Sequence, residues 1–310
     1  MARTAILLMA FGGPASLDEV GTFMARLMGR APAPQIVERV IERYRLIGGG
    51  SPLRQITLQQ AKALERRLSG EGAPRVRAAF KYGEPSITSS VYELAHAGCP
   101  RILGISLSAH YTRVSTGAYV DELLAAGEQH GVEVVVAESF HVEPHFLDGI
   151  AEQLRTAMSL LSDPGDAYVI FSAHSIPVEH VETGDPYVEQ LQATVKGVVQ
   201  RVSGHDWRLA YQSRGMGQGR WLEPSVETVL EEVATLGRRR VALAPIGFTA
   251  EHVETLYDID LAIAGRAKEL GLEFARASTL NASDPLIEAL AAVACPHIDG
   301  GAPGQKRMTH

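Results

Sequence analysis

Cysteine is nearly missing. Cys99 and Cys295 are the two in 310 residues. Each precedes a proline, and neither has a partner at metal-ligand spacing. That rules out a disulfide framework and a four-cysteine iron–sulfur cluster held within one chain, and leaves two ordinary thiols of a reducing compartment. Long apolar runs are missing too. No stretch approaches the ~18 residues that a membrane-spanning helix needs, and Met1-Ala2-Arg3-Thr4 runs into a strand-like segment without signal-peptide architecture. A cytoplasmic protein without a transmembrane segment is expected, with a peripheral membrane contact left open. Excess positive charge is the third absence: 29 Lys and Arg stand against 36 Asp and Glu, for a net −7. Phosphate backbones attract basic surfaces, so no nucleic-acid partner is expected. An anionic ligand needs a local basic pocket here, because the global field opposes it.

What is present is an ordinary globular balance, 45% hydrophobic and 21% charged, on a chain long enough for about two α/β lobes. Short apolar runs alternate with longer amphipathic ones, the rhythm of βαβ units and a mostly parallel sheet. The pattern predicts strands at 4–10, 75–80, 101–107 and 132–138, then at 167–172, 207–211, 240–246 and 272–276. Such strands are apolar on both faces because both faces are covered. Helices are predicted at 35–46, at 57–68 behind Thr57 as N-cap, at 144–161 crossing between the lobes, and at 225–236 and 251–270. The expected fold class is α/β, two doubly wound lobes of about four strands each, related by an approximate internal repeat. The lobes are assigned to 1–148 and 149–283, with a helix at 284–296 packing back on the first lobe and a fraying tail at 297–310.

Ligands of open α/β sheets bind beyond the carboxyl ends of the strands. Behind the first strand stands Phe11-Gly12-Gly13-Pro14, where glycine permits close backbone approach or only a tight turn. Behind the strand at 167–172 stands Ser172-Ala173-His174-Ser175-Ile176-Pro177, with a reachable imidazole between small residues. Behind the strand at 240–246 comes an acidic stretch containing Glu251, His252, Glu254, Asp258 and Asp260. A helix starting near Ala250 puts Glu254 and Asp258 on one face, where their repulsion costs tenths of a kcal/mol that a cation relieves. A solvated acidic helix start is the plainer alternative. Imidazole nitrogen with carboxylate oxygen suits Fe²⁺, Zn²⁺ or Co²⁺, and the set lacks the compactness of structural zinc. Lys81, Arg113, Arg45 and Arg54 are candidate partners for ligand carboxylates. His110, in a second Ser-Ala-His triplet, reads equally as a cleft residue or as a satisfied core histidine.

Together these segments resemble the ferrochelatase family over nearly the whole chain. The pieces are Leu8-Met9-Ala10-Phe11-Gly12-Gly13-Pro14, Tyr44 with Ile47-Gly48-Gly49-Gly50-Ser51-Pro52-Leu53, and Ser172–Pro177. They continue with Gly184-Asp185-Pro186-Tyr187, Gln212-Ser213, Trp221-Leu222-Glu223-Pro224, Pro245-Ile246-Gly247-Phe248 and His252–Tyr257. The resemblance implies two Rossmann-like lobes, the chelatase fold, around a porphyrin cleft. It makes His174 and Glu254 the essential pair, expected on opposite walls of one slot. Asp258 joins them at the metal, and His252 supports the site. Tyr44, Ser51, Lys81 and Tyr82 are implied to line the porphyrin pocket or hold its propionates, and Phe11 and Trp221 join them as expected substrate-binding residues. No organic cofactor and no iron–sulfur cluster are implied; Fe²⁺ and a porphyrin are substrates. A monomer with transient partners in the haem pathway is expected.

The segment from Ser51 to Gln60, Lys81 and Leu107-Ser108-Ala109-His110 resemble the bacterial coproporphyrin III type, ahead of the protoporphyrin IX type. There are departures. Phe11 stands where some relatives carry a tyrosine, and Leu27 and Met28 stand where some carry arginines. Ala262 ends the acidic ladder, leaving an outer metal site to be completed by Asp260 or water. Metallation needs two pyrrole protons removed and a stiff ring bent, for which Trp221, Phe11, Tyr82 and Ile47 are candidate contacts. His174 is a candidate base, iron ligand or both, with Glu254 holding iron or relaying protons through Asp258. A cobalt chelatase of a reduced tetrapyrrole and a non-catalytic porphyrin or haem carrier are the alternatives.

Overall fold

The computed structural model describes residues 4–215 and 219–298. The first lobe is built on β1 (Thr4–Ala10), β2 (Arg75–Phe80), β3 (Arg101–Ser106) and β4 (Glu133–Val136). The second is built on β5 (Tyr168–His174), β6 (Trp207–Gln212), β7 (Arg240–Ala244) and β8 (Glu273–Arg276). All pairings are parallel, in the orders β2-β1-β3-β4 and β6-β5-β7-β8. The lobes therefore share one topology. Parallel pairing demands crossovers, and the helices that make them cover both faces of each sheet.

Those helices are α1 (Val20–Met28), α2 (Pro34–Leu46), α3 (Leu53–Arg67), α4 (Ile87–His96), α5 (Ala118–His130) and α6 (Pro144–Met158). The second lobe adds α7 (Val178–Glu182), α8 (Tyr187–Val199), α9 (Val226–Thr235), α10 (Ala264–Glu269) and α11 (Asp284–Ile298). The repeat extends to detail. Glu84-Pro85-Ser86 follows β2 and Glu223-Pro224-Ser225 follows β6. Each serine then caps the next helix, accepting from Ser89 N and Thr228 N. In both lobes a π-wound turn precedes the last crossover helix, at Arg113–Gly117 and Glu254–Ile263.

Two predicted helix starts are corrected. Helix α3 begins at Leu53, so Thr57 is no cap; its hydroxyl donates to the Leu53 carbonyl at 2.8 Å inside the helix. The helix expected over 251–270 begins at Glu254 and stays π-wound to Ile263 before α10 continues it.

One apolar core runs through both sheets, from Ile6 and Leu8 to Phe171 and Ala173, filled by Phe146 and Leu154 of α6 and Leu286 and Leu290 of α11. Helix α11 packs on α6, α3 and β3, bridging the lobes. The outer faces carry separate cores under α4 and α5, and under α9. A small cluster of Val20, Met24 and Tyr44 joins α1 to α2 and receives Val253. Of the tail expected at 297–310, His297 and Ile298 end α11, and the remainder lies outside the described residues.

Candidate active site

His174 is the last residue of β5, paired in register with Gln212 of β6. Its carbonyl accepts from the Tyr187 hydroxyl at 3.0 Å, which fixes the strand end. Glu254 opens the π-wound turn that follows β7, the strand next to β5. Strand order thus delivers both side chains to one place, and His174 Nδ1 donates to Glu254 Oε2 at 2.8 Å. They are neighbours on the second lobe. The expectation of opposite walls is corrected, because adjacent strands of one sheet end on one side of the cleft.

The two groups titrate as a couple. Burial alone would raise Glu254, but the His174 charge and hydrogen bond outweigh it and hold the carboxyl at about 2. Burial alone would lower His174, but Glu254 outweighs it and the imidazole rises above its ordinary value. Next along the turn, burial and then the Glu254 charge raise Asp258, whose Oδ2 accepts from Ser213 Oγ at 2.5 Å. The same hydroxyl helps to hold the Glu254 charge. Arg43 of α2 reaches across from the first lobe to 3.8 Å from Asp258, over the ring of Tyr257.

The pair lines a cleft of about 270 Å³ between the lobes. Its second-lobe wall adds Ile176, Phe248 and His252. The His252 ring lies 4.5 Å from Phe248, its Nδ1 lacks a partner among the described residues, and burial lowers its pKa. The opposite wall comes from the first lobe: Phe11 behind β1, Leu53, Thr57 and Gln60 of α3, and Val114 and Ser115 of the first π-wound turn. Phe11 is 37% exposed and packs edge-on against Tyr82 at 4.9 Å. Tyr82 itself lines a neighbouring cavity of about 340 Å³, together with Arg54.

Several predicted residues go elsewhere. Tyr44 is buried in the cluster between α1 and α2, where burial and then Glu254 and Asp258 raise its phenol. Ser51 is buried, and its hydroxyl accepts from Leu53 N at 3.3 Å. Lys81 is bound to Glu122 at 2.8 Å and to the Ala118 carbonyl, which removes it as a free carboxylate partner. Arg45 pairs with Glu42, and Arg113 donates to the Thr183 carbonyl at 3.0 Å. Trp221 packs over Gly215 and bridges Pro177 through its backbone, outside the described cleft lining. Ile47 packs against the cluster between α1 and α2. Asp260 cannot complete an outer metal site, because Arg276 holds both of its oxygens at 2.5 and 2.9 Å. Nor does Asp258 close a three-ligand set: among the described residues no three His, Cys, Asp or Glu converge on one metal position. His110 is a core residue, and its Nδ1 has no partner among the described residues. It is fully buried, Nε2 meets Thr194 Oγ1 at 2.8 Å across the lobes, and burial with the neighbouring His141 lowers it to about 3.

Three contributors were not picked out as site residues from the sequence. Ser213 sits at φ 57°, a left-handed conformation that aims its hydroxyl at Asp258. Gln60 lines the cleft from inside an amphipathic helix; the segment Ser51–Gln60 carried a resemblance, but no local pattern singled out this position. Ser213 and Asp185 both stand in segments of the resemblance, Gln212-Ser213 and Gly184-Asp185-Pro186-Tyr187, neither of which marked them as site residues. The buried Asp185 carboxylate accepts from Thr112 Oγ1 and Arg113 N of the first lobe and from Tyr187 N of the second.

The family model described as Ferrochelatase matches residues 3–298 of the chain. The chain belongs to the ferrochelatase family. The ferrochelatase of Geotalea daltonii is 36% identical over 93% of this chain and 96% of its own. That of Herpetosiphon aurantiacus is 35% identical over 94% and 98%, and that of Deinococcus radiodurans 33% over 93% and 94%. Like other ferrochelatases, the chain is an enzyme of the lyase class. Among solved structures, SirB of Bacillus subtilis with Fe³⁺ superposes with TM-score 0.61 at 11% identity, covering 96% of each chain. At that identity the likeness speaks for the two-lobed chelatase fold alone. Among the described residues no helix is long and apolar enough to cross a membrane.

Proposed function

We propose that this ferrochelatase inserts Fe²⁺ into a porphyrin with release of two protons, and that coproporphyrin III is preferred over protoporphyrin IX. The observation that carries the chemistry is the imidazole–carboxylate pair at 2.8 Å on the wall of an inter-lobe cleft. An unprotonated imidazole accepts a pyrrole proton. A carboxylate held ionised offers the arriving cation an oxygen, and together they suit a borderline divalent metal. Each pyrrole N–H broken leaves its electron pair on nitrogen for the new iron–nitrogen bond, and the protons pass to His174 and outward along Glu254, Ser213 and Asp258. Phe11 and Ile176 offer apolar surface to the ring faces; binding energy from such contacts bends the macrocycle towards the metallated shape. His252 supports the site beside Glu254.

The substrate preference is supported by the segments Ser51–Gln60 and Leu107–His110, which resemble the coproporphyrin type. In the same proposal the enzyme works in the cytoplasm as a monomer and exchanges porphyrin and product with transient partners. The test compares zinc insertion into coproporphyrin III and protoporphyrin IX, followed by the Soret shift, with Co²⁺ and sirohydrochlorin as a third arm. Faster turnover of coproporphyrin III is expected. Turnover confined to the third arm, or tight porphyrin binding with no turnover, would overturn the proposal.

A further inference from the structure

Arg276 ends β8 at the edge of the second sheet and is 12% exposed. Its guanidinium is spread over two carboxylates. Nε and Nη2 donate to the two oxygens of Asp260 at 2.5 and 2.9 Å, and Nη1 donates to Glu251 Oε1 at 2.9 Å. Glu251 lies three residues before Glu254, and Asp260 lies two residues after Asp258. One side chain therefore grips both flanks of the segment that carries the acids of the site. The segment after β8 completes the grip: Thr279 N donates to Glu251 Oε1 at 3.0 Å, and Glu251 N donates to Asn281 Oδ1 at 2.9 Å. From Glu254, past Asp260 and on to Ile263, the backbone is π-wound. In a wider-wound turn the direction of Glu254 depends on how the winding is anchored, and Arg276 holds it at Glu251, three residues before it begins, and at Asp260, inside it.

We propose that Arg276 is a positioning residue for metal insertion, whose planar fork holds Glu254 against His174 by tying Glu251 and Asp260 to the sheet edge. This rests on the insertion chemistry proposed above. A lysine keeps the charge but has one donor centre, so it cannot chelate Asp260 and reach Glu251 together.

The experiment measures zinc insertion into coproporphyrin III by Arg276→Lys, with porphyrin-binding stoichiometry giving the concentration of folded enzyme. Displacing a reacting group by about 1 Å costs up to about a hundredfold, so kcat per folded site should fall about tenfold or more while KM for porphyrin stays within about twofold. A purely architectural role would instead lower the stoichiometry or raise KM as kcat falls, and would overturn the proposal, as would a kcat within about twofold of the unaltered chain. If Arg276→Lys does not fold, Asp260→Asn, which loosens only the far anchor, is read by the same criteria. If neither folds, the grip is structural and the proposal falls. The unaltered chain is assayed first: no insertion by it defeats the functional proposal itself, whereas insertion unchanged in the variant defeats only the role of Arg276.

Discussion

Glu254 gives up solvation and gains a cation, and the gain wins. Its carboxyl is held at about 2 although burial pushes it the other way. His174 rises for the complementary reason. The stability consequence has a sign for each group. A depressed carboxyl stabilises the fold above its unfolded value near ~4.3 and loses that contribution as pH falls towards its folded value. A raised imidazole stabilises below ~6.5 and loses its contribution as pH rises through its folded value. Both contributions are complete between ~4.3 and ~6.5. The difference in urea stability between the unaltered chain and Glu254→Gln should therefore peak in that window and shrink on either side; a difference independent of pH would remove the ion pair. In activity, His174→Ala should abolish zinc insertion while porphyrin binding, read by fluorescence quenching, persists. Glu254→Gln should lower insertion strongly at nearly unchanged porphyrin affinity, and should shift the acid limb of the rate profile to lower pH. The types and numbers of these two residues were legible in the sequence, because each follows an apolar run at a strand end. Their adjacency was not. It depends on β7 lying beside β5, and strand order is set by tertiary packing, not by local pattern.

At the level of elements, the strands were the most legible part. Every strand boundary lies within two residues of expectation, since a buried parallel strand is a continuous apolar run cut off by polar residues. Winding was not legible. A π turn differs from an α turn by one residue of hydrogen-bond spacing, and ten residues of amphipathic sequence satisfy either. Glycine contacts give this scale a sharp test. A methyl group on Gly247 would stand 3.0 Å from both Cα and Cβ of Ala173, the neighbour of His174. Gly247→Ala should cost about 1–3 kcal/mol of stability by overpacking, and should depress turnover by displacing the end of β5. Gly265, inside α10, has open space where a methyl would go. Gly265→Ala should stabilise by about 0.4–1 kcal/mol and leave turnover unchanged. Denaturant midpoints for the two variants moving in the same direction would contradict this account of the packing.

The whole molecule is two sheets sharing one core. Because the cluster from Ile6 to Phe171 is continuous and α11 packs against both lobes, neither sheet can lose its inner face without exposing the other. Polar ties between the lobes include Thr249 Oγ1 to the Leu107 carbonyl at 2.7 Å, Gln60 Nε2 to the Asn281 carbonyl at 2.7 Å, and Asp185 with its donors from both lobes. Both tryptophans, Trp207 and Trp221, belong to the second lobe, whereas far-ultraviolet circular dichroism reports both lobes. Unfolding followed by the two signals should coincide. Asp185→Ala removes an acceptor shared by the walls and leaves the Arg113 and Tyr187 amides and the Thr112 hydroxyl without it, at about 1–3 kcal/mol for each group that stays buried and unpaired. Both midpoints should then fall together, because the apolar core still joins the sheets. Porphyrin affinity should weaken, because the first π-wound turn is no longer tied to the loop that leads into Tyr187 and, through its hydroxyl, to His174. Separation of the two transitions in the variant would mean that Asp185, and not the shared core, couples the lobes.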